Sequence, residues 1–129
     1  MIDRVATDEV LPRSTDVVVI GAGIIGVAAA LTLAERGIAV VLIEKGVIAG
    51  EQSSRNWGWC RQQGRDPREL PLIIESLRLW RGLDQRIEGK TGFRQCGVVY
   101  LARTSADLSA HQAWLNVAKT YGVDSRLVG

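Results

Sequence analysis

Residues 17–44 read VVVIGAGIIGVAAALTLAERGIAVVLIE, and the rest of the chain is organised around them. Val17, Val18, Val19 and Ile20 form a β-branched run between Asp16 and Gly21, the composition of a strand buried on both faces. Gly21, Gly23 and Gly26 then supply G-x-G-x-x-G where a strand would pass into a helix. In that geometry the first glycine makes a tight turn and the second lets backbone approach a pyrophosphate. The third lets helix and strand pack closely. The helix N-terminus beyond them offers free amides and the positive end of a dipole to an anion.

Working outward, the spacing predicts a helix over residues 24–36. Gly26, Ala30 and Leu33 fall at i, i+4 and i+7 and form a small-residue face for the sheet. Gly37 follows as the residue past the helix end, where a left-handed conformation is common. Residues 38–43 read as a second strand, parallel to the first through a right-handed crossover. Glu44 closes that run, where a carboxylate can accept hydrogen bonds from ribose hydroxyls. Strand, glycines, helix, second strand and terminal acid in register predict dinucleotide binding.

Composition excludes several other classes. The 129 residues suit one domain of modest size, with enough apolar content for a core. Sixteen basic residues against 14 acidic give a net charge of +2, which implies no nucleic-acid or membrane-surface partner. Residues 17–34 carry no charge, long enough to raise the membrane question. The preceding Asp3, Asp8, Glu9 and Asp16 are unlike the positive region of a signal peptide, so no transmembrane segment or signal is expected. Cys60 and Cys96 lie far apart, in neither C-x-x-C nor metal spacing, and read as reduced thiols of a cytoplasmic protein. A position peripheral to the inner membrane stays compatible with that reading. No metal-ligand cluster or Ser-His-Asp-type set can be assembled. His111, the single histidine, has no partner for base catalysis and reads as an exposed helical residue.

The flanking segments are less regular. Residues 1–15, with Pro12 and mixed charges, read as a loosely ordered leader or a surface strand. Residues 45–64, KGVIAGEQSSRNWGWCRQQG, show no helical or strand period and read as a functional loop rich in hydrogen-bonding side chains. The plain alternative is a solvated loop whose Trp57 and Trp59 tuck under the core. Asp66, Pro67 and Glu69 resemble a helix start, while Pro71 conflicts with it and moves the start towards Leu70. Leu70, Ile73, Ile74, Leu77 and Trp80 then recur at helical spacing. Residues 82–95 read as connection, and residues 96–103 (CGVVYLAR) as a strand buried through Val98 to Leu101. Thr104 or Ser105 is expected to cap a second helix ending near Tyr121 and Gly122, and residues 123–129 to begin another strand.

The βαβ unit followed by GEQSSRNWGWCRQQG resembles the D-amino acid oxidase family of FAD-dependent oxidoreductases, which includes D-amino acid dehydrogenases, glycine oxidases and sarcosine oxidases. The resemblance implies an α/β fold: a Rossmann-like βαβ FAD-binding unit over residues 16–82 and the start of a second, α+β substrate domain over 83–129. It implies that Gly21, Gly23, Ile25 and Gly26 line the pyrophosphate turn, that Glu44 binds the adenosine ribose, and that Lys45 lies beside it. Ser53, Ser54, Arg55, Asn56 and Gly58 are implied along the phosphates and ribityl chain towards the flavin, although the tryptophans depart from the smaller residues common there. The implied reaction oxidises the C–N bond of a small-molecule amino acid or secondary amine, giving an imine that water hydrolyses. No catalytic residue can be nominated. Members of the family are much longer, so the chain is expected to be a fragment, a truncated product or a subunit that needs a C-terminal region or a complementary subunit. Two other readings remain: an NAD-dependent dehydrogenase, in which Glu44 opposes a 2′-phosphate, and a non-catalytic FAD-fold partner subunit.

Overall fold

The computed structural model describes residues 5–129, so residues 1–4 of the expected leader, Asp3 among them, lie outside the described residues. The chain divides into two compact units, one ending at Trp59 and the other running Cys60–Gly129.

The first unit is the βαβ module. Strand β1 is Val17–Ile20, helix α1 is Ile24–Glu35 and strand β2 is Val40–Ile43. The strands pair in parallel, with Val17 opposite Val40 and Ile20 opposite Ile43. β2 begins two residues later than the apolar run suggests, because the preceding backbone groups are already committed. Ile38 N–H donates to Leu33 O at 3.1 Å, which closes the end of α1. Ala39 N–H donates to Asp16 Oδ2 at 3.0 Å, and Ala39 O accepts from the Thr15 hydroxyl at 2.9 Å. Asp16 and Thr15 thus fix the register at the mouth of the pair, a role that the sequence did not signal. Gly37 takes up the expected left-handed conformation at φ 74°.

α1 packs on the sheet through its small residues. Ala30 is buried, and a Cβ on Gly26 would stand 1.9 Å from Gly21 O and 3.4 Å from Val19 Cγ1. Helix and strand therefore approach at a distance that only glycine permits. The outer side of the sheet is open: Ile20 is 85% exposed and Val18 51%, so the strands are not covered on both faces within this unit.

Residues 45–64 are not wholly irregular, as the lack of period had suggested. A single turn of helix, α2, spans Gln52–Arg55. Glu51 anchors its start: its carbonyl accepts from Ser54 Oγ at 3.1 Å, and its carboxylate pairs with Arg55 one turn on at 3.6 Å. Four residues are too short to leave a periodic trace. Trp57 and Trp59 do not tuck under a core. They stand exposed as an edge-to-face pair with ring centres 6.0 Å apart.

The second unit is helical among the described residues. Helix α3 is Leu70–Arg86 and helix α4 is Ser105–Tyr121. Pro71 sits in the first turn of α3, where its missing N–H has no intrahelical acceptor to lose, so the conflict over proline disappears. Asp66 still organises the approach, accepting from Arg68 N–H at 2.9 Å. α3 continues through Gly82, which the sequence reading placed in a connection. Leu83 extends the apolar spacing by one further turn, and an exposed interior glycine weakens a helix by only about 1 kcal/mol relative to alanine. Residues beyond α3 fold back on it: Thr91 N–H donates to Asp84 Oδ1 at 2.8 Å, and Phe93 stacks on Trp80 at 5.7 Å.

The caps of α4 are as expected. Thr104 and Asp107 form a reciprocal capping box, and Gly122 ends the helix in the left-handed region. The expected strand over 96–103 is absent. No described segment pairs with it, and Val99 and Leu101 are 77% and 76% exposed. A run of apolar, β-branched residues makes a strand only when a neighbour supplies hydrogen bonds. Residues 123–129 likewise form no strand; Val123 N–H instead donates to Ala118 O at 2.8 Å, completing the end of α4. His111 is half-buried rather than exposed, edge-on to the Tyr100 ring at 6.3 Å, with its Nε2 unpartnered.

Candidate nucleotide-binding site

The glycine turn joins β1 to α1 inside the first unit. Gly21 N–H donates to Ile43 O at 2.7 Å, which ties the turn to the end of β2. Gly21 has φ 98°, a conformation that L side chains rarely adopt. Gly23 caps α1 in an extended conformation without a side chain to satisfy the first-turn amides. A hydroxyl from another part of the chain does so: Ser53 Oγ accepts from Ile24 N–H at 2.8 Å. The close approach needs Gly23 as well, because a Cβ there would meet Ser53 Oγ at 3.1 Å. The amides of Ile25 and Gly26 have no acceptor within the helix, as at any helix start. Open helix-end amides beside a tight glycine turn form a setting for an anion.

Glu44 stands at the same turn. Its Oε2 accepts from Ala22 N–H at 2.8 Å and its Oε1 from Gly46 N–H at 2.9 Å. The Ala22 amide first, and the Gly46 amide second, hold its carboxyl below the ordinary carboxylate value. A depressed value in the folded state means that the stabilisation is present at neutral pH and is lost as pH falls through that value. A melting-temperature series against pH should therefore show an acid-side loss that Glu44→Gln reduces; an unchanged acid limb in that variant would contradict the assignment.

The other expected site residues divide into two groups. Gly21, Gly23, Gly26, Glu44 and Ser53 are brought together at the turn by the bonds and close approaches above. Ile25 points outward and is 81% exposed. Lys45 and Arg55 both reach Glu51, at 3.9 and 3.6 Å, and are exposed. Ser54 is turned onto its own helix by the bond to Glu51 O. Asn56 closes α2: its Nδ2 donates to Ser53 O at 2.7 Å and its Oδ1 accepts from Gly58 N–H at 2.6 Å, with Gly58 at φ 67°. Asn56 thus links the Ser53 segment to the exposed Trp57–Trp59 pair. Sequence reasoning missed Ala22, whose buried backbone is held at both ends, by Glu44 and by Ala49 N–H on its carbonyl at 2.9 Å. No side-chain signal could reveal a residue that acts through its backbone.

Among the described residues no group of side chains could hold a metal ion, and no helix is long and apolar enough to cross a membrane. Cys60 and Cys96 are free and exposed.

Comparison with known proteins places this geometry in context. A family model described as DAO, FAD dependent oxidoreductase, matches residues 16–129. The chain is 34% identical over 115 residues to sarcosine oxidase subunit beta of Arthrobacter sp, covering 88% of this chain and 28% of that protein. Among solved structures, L-amino acid deaminase from Proteus vulgaris aligns with a TM-score of 0.86 at 36% identity, over 96% of this chain and 29% of that one. L-proline dehydrogenase from P.horikoshii aligns with a TM-score of 0.82 at 30% identity, over 92% of this chain and 31% of that one. The chain thus spans about 28% of the length of the sarcosine oxidase subunits that it matches.

Proposed function

The chain belongs to the FAD dependent oxidoreductase family whose model spans residues 16–129, and from that premise we propose that it holds the adenosine diphosphate half of FAD for oxidation of a C–N bond. The observation that carries the proposal is the Gly26 contact: a Cβ there would fall 1.9 Å from Gly21 O, so the turn is compressed onto its helix as a diphosphate cradle requires. The residues present fit the group. The amides of Gly23, Ile25 and Gly26 would be the donors to the phosphate oxygens, and Ser53, whose hydroxyl oxygen accepts from Ile24 N–H, would have its own proton left to donate to a phosphate. Glu44 would accept from the ribose hydroxyls, with Lys45 beside them, and Ser54, Arg55, Asn56 and Gly58 would continue the path towards the flavin.

Bound FAD supplies acceptance of the electron pair that leaves the C–N bond. The chain's own contribution is binding and orientation. Asn56 closes the α2 turn that carries Ser53, Ser53 Oγ ties that segment to the glycine turn through Ile24 N–H, and the glycines leave the phosphate position free of side chains. The relatives named for sarcosine, L-amino acids and L-proline support a small-molecule amino acid or secondary amine as substrate. The name subunit beta among them supports assembly with a partner subunit.

Parallel titration with FAD and NAD, read by melting temperature, tests the proposal. Saturating FAD at about a hundredfold over its Kd should stabilise the fold by roughly 2.7 kcal/mol, with NAD doing nothing. Stabilisation by NAD alone, or by neither, would count against it.

A further inference from the structure

Two side chains from beyond the glycine turn take alternate amides of it. Glu44 holds Ala22 N–H and Ser53 holds Ile24 N–H, each at 2.8 Å. The Glu44 carboxylate has a second protein partner in Gly46 N–H at 2.9 Å, so one side chain ties the turn to the loop that follows β2. The same loop returns at Ala49, which sits at φ 58° and donates to Ala22 O at 2.9 Å. Ala22 is fully buried between these two bonds.

We propose that Glu44 is a positioning residue for the phosphate turn, acting through the Ala22 and Gly46 amides in addition to its contact with ribose. The proposal rests on the cofactor reading above and extends it to a part of the ligand that Glu44 does not touch. With Ala22 clamped, the neighbouring Gly23 amide is presented in a fixed direction, and no ordering of the turn is left for the ligand to induce. The sign of the effect separates this role from simple electrostatics. A carboxylate near a diphosphate repels it, so charge removal alone tightens anion binding. Loss of a clamp weakens it.

The test uses the full 129-residue chain with inorganic pyrophosphate and ADP as separate probes, in Glu44→Gln and Glu44→Asp. Gln loses one of the two acceptors, and Asp keeps the charge but is one methylene short of the turn. Both variants should bind pyrophosphate roughly tenfold more weakly, as expected for a lost charge-assisted hydrogen bond. In the ligand-free protein, hydrogen exchange should accelerate at Ala22 or Gly46 in Glu44→Gln and at both in Glu44→Asp, while the amides paired between β1 and β2 keep their protection and report an intact fold. Pyrophosphate binding that is unchanged or tighter in Glu44→Asp, or exchange at Ala22 and Gly46 that is unaltered in it, would overturn the proposal. Failure of both pyrophosphate and ADP to bind the wild type would also overturn it. Clamp effects as predicted in a chain that binds no FAD would leave the positioning role standing and remove the cofactor reading instead.

Discussion

Gly26→Ala is expected to dismantle the phosphate turn. The added Cβ would lie 1.9 Å from Gly21 O and 3.1 Å from Gly21 C, both backbone atoms. A flexible side chain could swing aside, but Gly21 is bonded to Ile43 O at 2.7 Å and cannot retreat without breaking the end of the sheet. Relief therefore requires α1 to slide off β1, which costs roughly 3 kcal/mol or more on the scale of severe overpacking. Affinity for FAD should fall by more than about a hundredfold, because the amides proposed to meet the phosphates move with the helix. Urea unfolding and flavin titration on the same variant read the two effects. A variant with wild-type stability and affinity would show that the close approach does not exist.

The second large effect is expected in the other unit. Leu70 is the largest fully buried side chain among the described residues, at the first position of α3. Leu70→Ala should destabilise by about 3 kcal/mol through lost transfer energy and the cavity left behind. Leu70→Met, which keeps the volume, should cost under about 1.5 kcal/mol. Urea unfolding followed by helical circular dichroism distinguishes them. Equal effects of the two substitutions would mean that the site collapses freely and that Leu70 does not anchor the helix.

The βαβ module was legible because its signals are local. Three glycines at fixed spacing, a β-branched run on each side and an acid at the end of the second strand each constrain backbone within a few residues. The capping box of Thr104 and Asp107 and the left-handed Gly122 were legible for the same reason. What failed to show was set by longer reach. The continuous apolar run at 98–101 has the composition of a strand, yet a strand exists only with a paired neighbour, and no described segment provides one. The late start of β2 depends on the Asp16 side chain capturing Ala39 N–H across 23 residues. Gly82 reads as a breaker but is carried inside α3, because Leu83 gives the helix one more apolar contact position.

The candidate site divides in the same way. Gly21, Gly23, Gly26, Glu44 and Ser53 were all named from sequence and are joined in space at the turn. Their pairing was not foreseeable, since Ser53 meets Ile24 across 29 residues of chain and Glu44 reaches back 22 to Ala22. Lys45, Ser54 and Arg55 were named with them but are held by Glu51 within their own loop.

Amide chemical-shift mapping during addition of FAD tests the central claim most directly. The largest changes are predicted at the Gly23, Ile25 and Gly26 amides, with Ser53 following, while the two helices of the second unit show smaller ones. Saturable binding whose shifts leave residues 21–26 untouched, or no shifts at all at high FAD, would contradict it.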